Sequence, residues 1–306
     1  LSLPSQYRVN TMNIALTGAS GFIGSVVAKL AAKHGHAIKA LVRKTSKREH
    51  IEQYVDEFVV GNHDDENAIA LLLDGTDVVI HDSFDWSHLK DGNTFEHLQS
   101  NLLGSINLLG ASKDRHFIYM SSIAVHHHMH DNWNGSIDST HPTRPGSLYG
   151  ACKASIEAHM WAANASRSQR VTAMRPCAVY GIDPSLKRSI GYPIVRAIQE
   201  GKAFTKLGGG KFVHVDDVAS ATIAAIGNES ASPSVYNLVD CYARWADWAA
   251  IASKELGIES DIDFSSPEQP KNSFDISTVE NELGVSMNRG IDGIRTQIQD
   301  ILHASK

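Results

Sequence analysis

The sequence predicts an α/β fold, a Rossmann-like doubly wound parallel sheet with helices on both faces and a smaller discontinuous lobe for substrate. Three observations carry this. Short apolar, β-branched runs alternate with stretches of helical periodicity, a glycine-rich turn separates the first strand from the first helix, and the alternation lapses past residue 181.

The elements follow in order. After a polar lead, residues 13–17 read as a short buried strand and 22–34 as a helix with its apolar residues at helical spacing. Strands at 37–42, 57–60, 77–81 and 116–121 come next, with helical pattern at 67–73 and 94–112 between them. Parallel strands need crossover connections, so helices should cover both faces of the sheet. A helix at 148–165 and a strand at 171–175 continue the series. Then the character changes to a polar loop at 183–187, a helix at 192–200 and a glycine-rich connection at 206–211. Strands at 212–215 and 235–238 are expected to rejoin the main sheet, and the tail from 244 reads as mixed helix and loop.

The 306 residues carry a net charge of −6, so no global positive field draws in nucleic acid or an anionic membrane surface. Three cysteines, Cys152, Cys177 and Cys241, are widely spaced with no CxxC, which suits a reducing compartment and a packing role. No apolar run is long enough to suggest a membrane span, and the first residues lack a secretory pattern. A cytoplasmic enzyme acting on a small molecule is expected, with no nucleic-acid or membrane partner.

Between the first strand and helix, the run from Thr17 to Gly24 places Gly18, Gly21 and Gly24 at three-residue spacing. Glycines there permit a tight turn, close approach of backbone to a pyrophosphate, and close strand–helix packing. Ser20, Phe22 and Ile23 share this turn, whose free N–H groups would face the anion. The expected division is a dinucleotide-binding domain of 12–181 and 212–240 and a substrate lobe of 182–211 and 241–306. About 20 residues past the glycines, where an acidic residue would bond the ribose 2′-hydroxyl of NAD, the chain has Arg43, with Lys44, Lys47 and Arg48 close by. A guanidinium grips a 2′-phosphate with two parallel bonds, so NADP is favoured over NAD.

Six ordered segments carry a family resemblance: the glycine turn, Asn101 to Asn107, Met120 to Val125, Tyr149 to Lys153, Arg175 to Gly181, and Phe212 to Val218. Together they resemble the NAD-dependent epimerase/dehydratase group of extended short-chain dehydrogenases/reductases. The resemblance implies that Asn101, Pro176 and Val179 belong to the cofactor site, that Lys153 bonds the nicotinamide ribose, and that the helices with Asn101 and Tyr149 pair across a homodimer. Asn62 replaces the acidic residue that often closes the third strand and meets adenine, and its amide oxygen still accepts; His63 follows it.

Tyr149 and Lys153, four apart on one helix, point to the same face. A tyrosine working as a base near neutral pH needs its pKa lowered by about three units from about 10, and Lys153 with an oxidised nicotinamide would supply the charge. Tyr149 would take the proton of a substrate hydroxyl as hydride leaves the same carbon, and return it in reverse. Ser122, aligned by the resemblance with the catalytic hydroxyl, would orient the reacting oxygen.

The departures narrow the substrate. Ile123 and Ala124 stand where dehydratases of the family carry an acidic pair, and Ala178 and Gly210 where nucleotide-sugar epimerases carry an asparagine and an arginine. Ala178, Ser122, Phe84, Trp86 and His126 are the expected substrate contacts, with His88 and Trp133 adding to an aromatic pocket. The run His126-His127-His128-Met129-His130 lacks the framework that orients metal ligands, so no metal is expected. The expected activity is NAD(P)-dependent hydride transfer between a nicotinamide and a carbonyl/secondary alcohol pair, on a sugar derivative among other candidates. The alternatives are a nucleotide-sugar epimerase that retains its cofactor and a non-catalytic dinucleotide-sensing regulator.

Overall fold

The computed structural model describes residues 11–127 and 135–305. Strand β1 (Asn13–Thr17) turns through the glycines into α1 (Phe22–Lys33), followed by β2 (Ala37–Val42), β3 (Glu57–Val60), α2 (Glu66–Leu73) and β4 (Val78–His81). Short helices α3 (Ser87–Lys90) and α4 (Thr94–His97) precede α5 (Gly104–Ala111) and β5 (His116–Met120). Then come β6 (Ser136–Ile137), α6 (Leu148–Arg167), β7 (Val171–Pro176), β8 (Ala178–Tyr180), α7 (Tyr192–Gln199) and β9 (Gly209–His214). The chain ends with α8 (Val215–Ala224), β10 (Ser234–Leu238), β11 (Cys241–Arg244), α9 (Trp245–Leu256), β12 (Ser273–Phe274), α10 (Ser277–Leu283) and α11 (Gly290–Ala304).

Seven strands form the central sheet in the order β10-β7-β5-β4-β1-β2-β3, every neighbouring pair parallel. The order reverses between β1 and β4, and a ligand of an open α/β sheet binds beside the carboxyl ends of the strands at such a point. One face of the sheet packs on α1 and α8 through Val27, Ala28, Val218 and Ala221. Leu72, Leu108, Ile156 and Met160 of α2, α5 and α6 cover the other face. A third cluster, separate from these two, holds Tyr180, Phe212, Trp248 and Ile298.

Two expectations about single elements are corrected. The strand at 212–215 does not rejoin the main sheet; it is the end of β9, which pairs with β8 and β11 in a separate three-stranded sheet, and only β10 returns beside β7. Phe212 explains the difference, because its ring packs against Trp245 and Trp248 of α9 in the second core. The helix at 94–112 is also interrupted, by a π-helical turn over Leu98–Leu103 that buries Asn101. Such turns concentrate near functional sites because they re-aim one side chain within a helix.

Candidate active site

At the end of β1, the Gly21 N–H donates to the Gly18 carbonyl at 2.8 Å. Gly24, the third residue of α1, lies so near this turn that a Cβ would meet the Gly18 carbonyl oxygen at 2.2 Å, so only hydrogen fits. The N-cap of α1 is Gly21, which has no side chain to cap the helix, and the first turn holds no acidic residue. The N–H groups of Phe22 and Ile23 at the helix start are therefore open to an anion. Ser20, Phe22 and Ile23 are half-buried around them. This cradle fits the diphosphate of a dinucleotide.

The other predicted cofactor residues are less uniform. Arg43, just past β2, is exposed, with its guanidinium 3.6 Å from the Asp85 carboxylate. Asn62 is exposed beyond β3, whereas His63 is buried and its Nε2 bonds the Ser100 carbonyl at 2.7 Å. Asn101 also has its amide engaged within the protein. Its Oδ1 accepts the Asp85 N–H at 2.7 Å, and its Nδ2 donates to the Asp85 carbonyl at 2.9 Å and lies 3.1 Å from His97 Nδ1. Within the protein, His63 secures the interrupted helix and Asn101 secures the loop after β4. Pro176 closes β7, buried, and Val179 is half-buried in β8.

Helix α6 starts where Ser147 accepts the Gly150 N–H at 3.1 Å. Gly150 has no room for a side chain either, since a Cβ would lie 2.3 Å from the Ala124 carbonyl oxygen. The helix thus rests directly on the turn after Ser122, and this contact sets Tyr149 beside the Ser122 hydroxyl. Ser122 pulls the Tyr149 phenol down, but burial outweighs it and pushes the phenol up to about 12. At neutral pH it is an O–H donor. One turn further on, Lys153 is buried and donates to the Met120 carbonyl at 2.6 Å, with its ammonium 4.6 Å from the Tyr119 ring centre and 5.8 Å from that of Tyr149. Ser122, Tyr149 and Lys153 thus come together at the carboxyl end of β5.

Asp82 is a residue that the sequence reading missed. It follows β4 and its carbonyl abuts Gly18, while its carboxyl faces Lys153 and the Gly24 N–H. Burial pushes the carboxyl up, against the pull of Lys153 and Gly24. Burial likewise lowers the Lys153 ammonium, and the Asp82 carboxylate opposes that fall. Asp82→Asn should therefore make Lys153 lose its proton at lower pH, removing the charge that steadies a phenolate at Tyr149. The alkaline limb of the pH–rate profile is expected to move down by about one unit. Rates from about pH 6 to 10 at saturating cofactor test this, and an unmoved limb would break the link between Asp82 and Lys153.

Among the expected substrate contacts, Ala178 is exposed at the start of β8. Phe84 and Trp86 flank Tyr149, with ring centres 5.0 and 4.7 Å from that of Tyr149. His126 is buried, and its Nε2 accepts the Arg175 guanidinium at 2.8 Å. The buried charge of Arg175 draws it inward. Trp133 and the histidines at 128 and 130 lie outside the described residues.

Comparison with known proteins bears on the fold. The model of the NAD dependent epimerase/dehydratase family matches residues 14–238. The ketoreductase sphI of Aspergillus fumigatus is 26% identical over 316 aligned positions, which cover 89% of this chain and 92% of that protein. A 4-hydroxy-2-methyl-3-oxo-4-farnesyl-3,4-dihydroquinoline-1-oxide ketoreductase of Stigmatella aurantiaca is 24% identical over 236 positions, covering 75% of this chain and 68% of the other. Among solved structures, the UDP-glucuronic acid 4-epimerase of Bacillus cereus in complex with UDP-glucuronic acid and NAD superposes with a TM-score of 0.80 at 22% identity, over 96% of this chain and all of that one. At that identity the likeness is one of fold.

Proposed function

The chain belongs to the NAD dependent epimerase/dehydratase family, and from that footing we propose that it is a ketoreductase in which Ser122, Tyr149 and Lys153 reduce a free carbonyl substrate. The observation that carries the reading is the Tyr149 hydroxyl bonded to Ser122, one helical turn from the buried Lys153, whose ammonium lies 5.8 Å from the Tyr149 ring centre. A bound nicotinamide supplies hydride to the carbonyl carbon. Ser122 and Tyr149 donate hydrogen bonds to the carbonyl oxygen, and the Tyr149 proton moves onto that oxygen as negative charge develops there. Lys153 then stabilises the phenolate left behind. The glycine cradle and the N–H groups of α1 hold the cofactor diphosphate, next to Pro176 and Val179 on the nicotinamide side.

A nucleotide-sugar substrate finds little support in the second lobe. Beyond Ala178 the chain has five arginines, Arg188, Arg196, Arg244, Arg289 and Arg295. Each is already beside a carboxylate: Asp183 at 2.7 Å, Glu200 at 3.5 Å, Asp247 at 2.7 Å, Asp217 at 2.7 Å, and Asp292. Gripping a substrate diphosphate would require one of them to give up that partner.

NADP is the proposed cofactor. Arg43 is 63% exposed and its contact with Asp85 is long, so its guanidinium is free to turn to a 2′-phosphate. A homodimer through the helical stretches 94–111 and 148–167 is supported by the exposed apolar side chains Phe95, Leu98, Leu103, Leu148 and Trp161. The cleft between the sheet and the second lobe would hold the substrate.

The deciding assay follows nicotinamide absorbance with NADPH or NADH, offering simple ketones and UDP-hexoses in parallel. Net cofactor oxidation by a ketone, at lower NADPH than NADH concentration, is the expected result, and Arg43→Asp should reverse the cofactor order. Interconversion of a UDP-hexose without net oxidation would replace the reductase reading with an epimerase.

A further inference from the structure

We infer that the carbonyl substrate carries a planar aromatic or conjugated ring, and that Trp86 selects it by stacking against that ring beside the Tyr149 hydroxyl. The inference rests on the ketoreductase reading and names its substrate class.

Tyr149 stands in an aromatic corner. The Trp86 ring is stacked on it, with centres 4.7 Å apart and planes 27° from parallel. Phe84 stands edge-on to Tyr149 at 5.0 Å and is 4.8 Å from Trp86. The buried Lys153 ammonium lies 5.0 Å from the centre of the Phe84 ring, so the corner is tied to the proton-transfer group behind it. Trp86 nevertheless remains 48% exposed. About half of a large apolar side chain therefore faces solvent within one ring of the reacting hydroxyl, where a flat ligand would cover it.

The corner is also held in place. Asp85, just before Trp86, has both backbone groups bonded to the Asn101 amide, and its carboxylate accepts the Ser87 N–H at 2.9 Å and the Ser87 hydroxyl at 2.6 Å. Trp86 is thus fixed from both sides, and a preorganised surface loses little freedom when a ring stacks on it. Charge argues the same way. Lys153, the cation beside Tyr149, is buried on the Met120 carbonyl and so is not offered to a substrate anion. The face offered to substrate is aromatic and carries little charge, which suits a conjugated ketone better than a polyhydroxylated or phosphorylated one.

The test uses the full chain with its preferred cofactor and two ketones of similar size, acetophenone and cyclohexyl methyl ketone. The intact protein should reduce acetophenone with at least a tenfold higher kcat/KM. In Trp86→Ala that ratio should fall at least tenfold, mainly through KM for acetophenone, and Trp86→Phe should restore most of it. Acetophenone should also quench tryptophan emission in the intact protein far more than in Trp86→Phe. Equal use of both ketones, or a ratio indifferent to Trp86, overturns the inference while leaving the reductase intact. If no ketone is reduced and a UDP-hexose is epimerised, the reductase reading fails. The inference, which names the substrate of that reading, falls with it.

Discussion

Tyr149→Phe is expected to lower kcat for carbonyl reduction by about 10²–10⁴-fold while leaving the dissociation constant for the cofactor within about threefold. The change removes one hydroxyl and nothing else. The ring stays, and with it the contacts to Trp86 and Phe84 and the seat of Lys153 on the Met120 carbonyl. What is lost is the proton source at the substrate oxygen, so a developing alkoxide has only Ser122 to receive it. In free-energy terms the loss is about 3–5 kcal/mol of transition-state stabilisation, in the range of a well-placed general acid. Because burial pushes the phenol up to about 12, it is protonated across the neutral range. Reduction should therefore be the easy direction near neutral pH, and alcohol oxidation, which needs the phenolate, should gain rate as pH rises. Single-turnover reduction with a parallel cofactor titration measures both quantities. A variant that turned over within threefold of the parent would remove Tyr149 from the chemistry and leave the dinucleotide cradle as a binding site in search of another reaction.

What could be read from the sequence follows the range of the interactions involved. The glycine turn was legible because Gly18, Gly21 and Gly24 act within eight residues of each other, and their requirement, absence of a Cβ near the backbone, belongs to residue type. Tyr149 and Lys153 were legible for the same reason, since a four-residue spacing fixes their common face once the helix is granted. The partner of β9 was not. An apolar run of four residues states that a strand exists, but whether Phe212 packs on the main sheet or on Trp245 and Trp248 is decided by residues more than thirty positions away. The interrupted helix was hidden because the 98–103 segment keeps an apolar pattern, and only the buried amide of Asn101, bonded to Asp85, shows why the backbone gives way there. The burial of His126 was not legible from composition. Five residues with four histidines suggest a solvated or ligand-facing loop, yet one of them is buried against Arg175. Asp82 did leave a signal, an acid at the end of an otherwise apolar strand, but its meaning depends on Lys153 lying opposite it, seventy-one residues further along the chain.

The largest effect on stability is expected from Glu157→Ala. Glu157 sits on α6, one turn beyond Lys153, and its carboxylate receives the Arg175 guanidinium through Nε at 2.9 Å and Nη2 at 2.5 Å. The same carboxylate accepts the Ser121 hydroxyl at 2.5 Å, and the side chains of the pair are only 3% and 4% exposed. Helix α6, the end of β5 and the end of β7 are therefore joined through one carboxylate. Truncating it leaves a guanidinium out of water with His126 as its remaining side-chain partner, and a broken buried pair of this kind destabilises by about 3–5 kcal/mol. For a chain of this length the melting temperature should fall by roughly 5–8 °C. The loss measures an orphaned charge more than the worth of the pair, which Glu157→Leu combined with Arg175→Met separates. With both charges gone and apolar volume kept, much of the lost stability should return. Melting curves of the parent, the two single variants and the double variant contain the whole argument. Additive losses in the double variant would mean that the two side chains act separately, and that the contact between α6 and β7 beneath Ser122 is held by packing alone.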